Sequence, residues 1–163
     1  MKCSIFNIGL AIIVVTLVST AATAQSENEI RESIVRSHIE ANVPDGKNFD
    51  VYLKRDLATY FKNLTGKDVA VEFELLREGP TQTGIAFPKF YAWVSVRNSK
   101  NIVIDEGAVR LAAIEKKRFE ITHFLSRSEI SKTPESPLKI FPGDIVKKID
   151  AKLGRGSETR RIE

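Results

Sequence analysis

The chain has 163 residues, 42% of them hydrophobic, and a formal net charge of +4 from 25 Lys and Arg against 21 Asp and Glu. Its one cysteine excludes an internal disulfide and a cysteine-based zinc site. The hydrophobic share is too high for a disordered chain and too low for a multi-span membrane protein, and the length suits one domain.

Lys2 precedes an uncharged apolar run, Ile8–Val18, and Ala22-Thr23-Ala24 places small residues where a signal peptidase reads. This three-part pattern predicts a secretory signal peptide over residues 1–24. The run is shorter than the roughly 20 residues of a membrane-spanning helix. Cys3 lies ahead of it, not after it, which argues against a lipid anchor. Cleavage after Ala24 leaves Gln25–Glu163 with net charge +3 and neither Cys nor Met. The expected location is the periplasm or outside the cell, with no stable membrane span once the signal is removed.

Ile30, Ile34 and Val35 recur at helical spacing and predict a helix over about residues 27–41. Val43-Pro44-Asp45-Gly46 then turns the chain. Phe49, Leu53, Leu57, Tyr60, Phe61 and Leu64 form one apolar stripe on a second helix, with Asn48 or Asp50 as its N-cap and Gly66 as its stop. From Val69 the period becomes 2. Strands are expected over residues 69–76, 89–97, 108–114 and 119–126, with Gly107 as a bulge or a hairpin turn. On the second strand Phe90, Ala92, Val94 and Val96 share one face, and Tyr91, Trp93, Ser95 and Arg97 the other. On the fourth, Phe119, Ile121, His123 and Leu125 are expected together. A loop crosses Ser131–Pro137, and a last helix carries Ile145, Ile149 and Leu153 between Pro142 and Gly154. Residues 154–163 read as a disordered polar tail, which leaves residues 25–153 as a single domain.

Helices followed by a run of strands predict an α+β fold: N-terminal helices packed on a curved four-stranded antiparallel sheet, with a short C-terminal helix. Residues 69–129 resemble the cystatin-like and nuclear-transport-factor-like α+β roll. The resemblance is carried by the long helix ahead of long strands, by Asp105-Glu106-Gly107-Ala108-Val109-Arg110-Leu111, and by Arg118-Phe119-Glu120-Ile121-Thr122-His123-Phe124-Leu125-Ser126. It implies a fold that hosts both enzymes and binding modules. The QxVxG hairpin of the protease-inhibiting cystatins is absent; Gln82-Thr83-Gly84-Ile85-Ala86 has another order.

No metal-ligand spacing, phosphate loop or nucleophile elbow occurs, so neither metal nor cofactor is expected. The short basic runs lie among acidic residues, so no nucleic-acid partner is expected. His123 is the candidate acid–base residue, with Asp105 and Glu106 as the nearest carboxylates. Tyr91 and Trp93, rimmed by Arg97 and Arg110, are the candidate binding residues if the second sheet face is open. The first reading is therefore an exported non-enzymatic binding module for a protein, a small apolar ligand or a second copy of itself. The alternatives are a small cavity isomerase, lyase or hydrolase working through His123, and a structural subunit of an envelope assembly.

Overall fold

The computed structural model describes residues 27–155, so the expected signal segment and the tail beyond Arg155 lie outside the described residues. The described residues divide into two units between Ser37 and His38. Helix α1 covers residues 27–42, as its periodicity predicts, with Ile30 and Ile34 exposed. The remaining elements belong to the second unit.

Helix α2, Gly46–Thr65, starts directly after Asp45. It begins earlier than the stripe suggested because Asp45 itself takes the extended N-cap conformation, without a side-chain cap bond. Its buried stripe is Leu53, Leu57 and Phe61; Leu64, one turn on, is exposed. Gly66 ends it at φ 69°, where an L side chain is strained and glycine is not.

Four strands follow: β1 Ala70–Leu75, β2 Lys89–Arg97, β3 Val103–Ile114 and β4 Arg118–Ser126. They pair in chain order as an antiparallel meander. Helix α2 packs on one face, against Phe90, Ala92, Val94 and Val96 of β2 and Val109, Leu111 and Ala113 of β3. Aromatic rings pack between helix and sheet. Phe49 meets Phe90 and Phe119 edge-on with ring centres 5.0 and 4.9 Å apart, and Phe61 meets Phe124 at 4.9 Å.

The second face is also covered. After β4 come helix α3 (Arg127–Lys132), a 3₁₀ turn (Ser136–Lys139) and helix α4 (Gly143–Lys152). Ile145, Val146 and Ile149 of α4, with Phe141 and Ile130, bury Tyr91, Trp93 and Ala108. Helix α3 was not expected, although Ser126-Arg127-Ser128-Glu129 carries the capping-box spacing that opens it. The Ser126 side chain accepts from the Glu129 N–H, and the Glu129 carboxylate accepts from the Ser126 N–H. The last described residue, Arg155, donates to the Ile130 carbonyl at 3.2 Å, so the fold continues past Leu153.

Two irregularities set the sheet's geometry. Strand β3 is continuous through Gly107, which is neither a hairpin turn nor a bulge. Here β4 comes so near that a Cβ on Gly107 would stand 2.2 Å from the Leu125 carbonyl oxygen and 2.8 Å from the Phe124 ring. Two residues bulge: Ile104 of β3, skipped between Asp105 facing Val96 and Val103 facing Arg97, and a second in β4. Arg110 faces His123 while the next residue, Leu111, faces Ile121, so Thr122 is the extra residue.

The β3–β4 hairpin turns through Glu115 and Lys116, both at positive φ (51° and 57°). Asn42, buried at the end of α1, holds them: its side chain accepts from the Glu115 N–H at 3.1 Å and its carbonyl from the Lys116 N–H at 2.8 Å. Asp56 of α2 accepts the Phe119 N–H at 2.6 Å.

Gly107→Ala tests the close approach. The added methyl must displace backbone, so urea denaturation should show a loss of at least about 2 kcal/mol, the scale of overpacking a filled site.

Candidate functional site

Cross-strand register places Tyr91 (β2), Arg110 (β3) and His123 (β4) in one row across the second face. The bulge at Thr122 is what puts His123 there. Without it, alternation would carry His123 to the α2 face with Phe119 and Ile121. The expected grouping of Phe119, Ile121, His123 and Leu125 is therefore corrected: Phe119, Ile121 and Phe124 pack toward α2, while Leu125 packs with the second cluster and His123 is exposed.

The expectation of an open aromatic patch is also corrected. Tyr91 is 4% and Trp93 5% exposed, because α4 covers this face. Trp93 Nε1 donates to Glu106 Oε1 at 2.9 Å, and Arg127 donates to Glu106 Oε2 at 2.7 Å, a chain that ties β2, β3 and α3 together. Partial burial raises the Glu106 carboxyl, but the bonds from Trp93 and Arg127 and the charges of Arg127 and Lys152 outweigh it and hold the group below its ordinary range. Arg97 lies away from this chain, paired with Glu72 at 3.3 Å. Asp105 pairs in register with Val96, whose face is that of α2; burial raises its carboxyl, with Glu129 adding to the rise.

Near the start of β2 the cover is incomplete, and a cleft of about 430 Å³ opens. Four cationic residues line it: Arg77, Lys89, Arg110 and Lys139. Among the described residues, no carboxylate does. Thr81, Thr83 and Tyr91 contribute hydroxyls, and Tyr91 Oη lies 2.8 Å from Thr81 Oγ1. Arg77 pairs with Asp144 at 3.6 Å, whereas Lys89, Arg110 and Lys139 have no ion pair among the described residues.

Arg110 is held entirely by uncharged acceptors. Its Nε donates to Thr122 Oγ1 (3.1 Å), Nη1 to the Ile140 carbonyl (3.1 Å) and Nη2 to His123 Nδ1 (2.7 Å). Because arginine only donates, His123 Nδ1 accepts and the imidazole proton sits on Nε2. Nη1 and Nη2 each keep a second N–H. Desolvation, then the charges of Arg110 and Lys89, hold the His123 imidazole below its ordinary range. No carboxylate bonds to His123 among the described residues, and Asp105 and Glu106 are engaged elsewhere.

One wall of the cleft is the loop between β1 and β2. Thr81 and Lys89 exchange backbone bonds of 2.8 and 2.9 Å at its base, and the Gln82 side-chain amide bonds to the Gly84 and Ala86 carbonyls within it. The opposite wall is the 3₁₀ turn and the segment leading to α4, with Leu138, Lys139 and Ile140.

No protein-family model, curated protein or solved structure matches this chain. Among the described residues, no helix is long and apolar enough to cross a membrane, and no group of three or more His, Cys, Asp or Glu could hold a metal ion.

Of the residues singled out from sequence, the structure brings together Tyr91, Arg110 and His123 in one row; Trp93 shares the buried cluster of Tyr91 without lining the cleft, and Arg97 pairs elsewhere with Glu72. Arg77, Lys89 and Lys139 carried no signal, since nothing in their spacing shows that the chain returns to one place.

Two outcomes follow. Trp93→Ala should lower stability by about 3–5 kcal/mol in denaturant unfolding, as a buried aromatic truncation does. The His123 imidazole should titrate by NMR below the ordinary histidine range, and Arg110→Gln should move its midpoint upward by removing a facing positive charge. As pH falls through that midpoint, Nδ1 changes from acceptor to donor and the bond to Arg110 breaks.

Proposed function

We propose that the protein is an exported, non-enzymatic binding module that takes an anionic ligand in the cleft between the Thr81–Phe87 loop and the 3₁₀ turn. One observation carries this reading. The Arg110 guanidinium is fixed by three neutral acceptors, without a carboxylate partner, in a cleft whose other charged linings are all cationic. A positioned arginine with spare N–H groups is a ready acceptor site for a carboxylate or phosphate. The same proposal retains the cystatin-like or nuclear-transport-factor-like roll, supported by the long helix ahead of the four-stranded meander. Export rests on the N-terminal signal pattern.

The acid–base alternative finds less support. His123 is exposed and its ring partner is a cation, and among the described residues no carboxylate bonds to it.

NMR titration with acetate and with inorganic phosphate tests the proposal. Saturable shifts should center on Lys89, Tyr91, Arg110 and Lys139. Lys89→Gln combined with Lys139→Gln should weaken binding at least about threefold, the scale of two partly screened charges. Shifts spread over all surface lysines, or unchanged binding by the double variant, would overturn it.

A further inference from the structure

The cleft combines two features that one small inorganic anion would not use together. Its walls are cationic, and its lips are apolar. Phe87 and Leu138 both line it, one from each wall, and are 45% and 55% exposed. Ile85, at the tip of the same loop as Phe87, is 87% exposed. Large apolar side chains in water are ordinary when scattered, but Phe87 and Leu138 both line one charged cleft. Deeper in, Ile140 and Phe141 continue the apolar lining alongside Arg110. The loop that presents Ile85 and Phe87 is braced from within by Gln82 and closed at its base by the Thr81–Lys89 backbone pair, so the lip is preformed.

We infer that the ligand is a free single-chain anionic amphiphile: a carboxylate or phosphate head bonded by Arg110 and neutralised by Lys89 and Lys139, with an alkyl chain laid across Phe87 and Leu138. The inference rests on the anion-binding reading above and adds the apolar half of the ligand. Charge complementarity fixes the head, since no carboxylate among the described residues lines the cleft to compete with it. The volume of about 430 Å³ is that of a small-ligand site, and it holds the head and the first part of a chain. The source is a monomeric amphiphile in solution, because head recognition occurs inside a cleft and not on a flat basic surface. Burial of successive methylenes then sets the affinity.

Isothermal titration with acetate, hexanoate and decanoate, each kept below its critical micelle concentration, reads this out. Affinity should rise at least about tenfold from acetate to hexanoate and further to decanoate, with one ligand per chain. Phe87→Ser with Leu138→Ser should flatten that dependence. Both positions are half exposed, so the variant should keep the wild-type circular dichroism and unfolding midpoint. Lys89→Gln with Lys139→Gln should weaken all three carboxylates alike. Sedimentation with phosphatidylglycerol vesicles should leave the protein in the supernatant.

Equal affinity for the three chain lengths would overturn the amphiphile and leave the anion site standing. No binding of any anion would overturn both. Chain-length dependence that survives Phe87→Ser with Leu138→Ser would place the chain elsewhere and overturn the geometry. Pelleting with vesicles in the absence of decanoate binding would assign the cleft to a bilayer surface instead.

Discussion

Strand β2 carries apolar side chains on both faces, and neither set can be left in water. Phe90, Ala92, Val94 and Val96 are buried under α2; Tyr91 and Trp93 are buried under α4. A sheet covered on one side would expose two large aromatics beside each other, a heavy cost in unburied apolar area. The C-terminal segment removes that cost by folding back over the meander. Lys152 of α4 bonds to Glu74 of β1, and Arg77 beyond β1 pairs with Asp144 of α4, so polar contacts at both ends of the helix agree with its apolar seating. The cleft is where this cover ends. Its position follows from how far the segment over residues 138–142 reaches across the start of β2.

The bulge at Thr122 has a second consequence. One extra residue reverses the facing of everything after it in β4. Phe124 thereby reaches the core beside Phe61, and His123 moves to the opposite face next to Arg110. Thr122 itself is drawn into the arrangement: its hydroxyl donates to the Arg110 carbonyl and accepts from Arg110 Nε. The local defect in the ladder thus orients the guanidinium. His123, the residue that looked most like a catalyst, acts as a neutral acceptor that positions a cation.

Gathering four cations around one cleft opposes folding by mutual repulsion, which water and salt reduce but do not remove within a Debye length of about 10 Å. Among the described residues only Arg77 is relieved by a partner carboxylate, at 3.6 Å. The repulsion is the counterpart of the binding reading, because a ligand of opposite charge would remove it on arrival. The apolar lips carry a similar tension, held exposed by a braced loop.

Much of the fold was legible along the chain because local periodicity reports burial. Strand β2, the stripe Leu53–Leu57–Phe61, the Gly66 stop and the Pro142–Gly154 limits of α4 all follow from side chains within a few residues of one another. The capping box at Ser126–Glu129 was equally legible and announces α3. What the sequence by itself determined is the α+β order and the two apolar faces of β2. Three things were decided only in three dimensions: which segment covers the second face, where the strands bulge, and where Arg77, Lys89, Arg110 and Lys139 meet. The reason is physical. A strand's alternation is a property of neighbours, whereas a bulge depends on registry with its partner strand. A cleft depends on segments up to 62 residues apart arriving at one place, as Arg77 and Lys139 do.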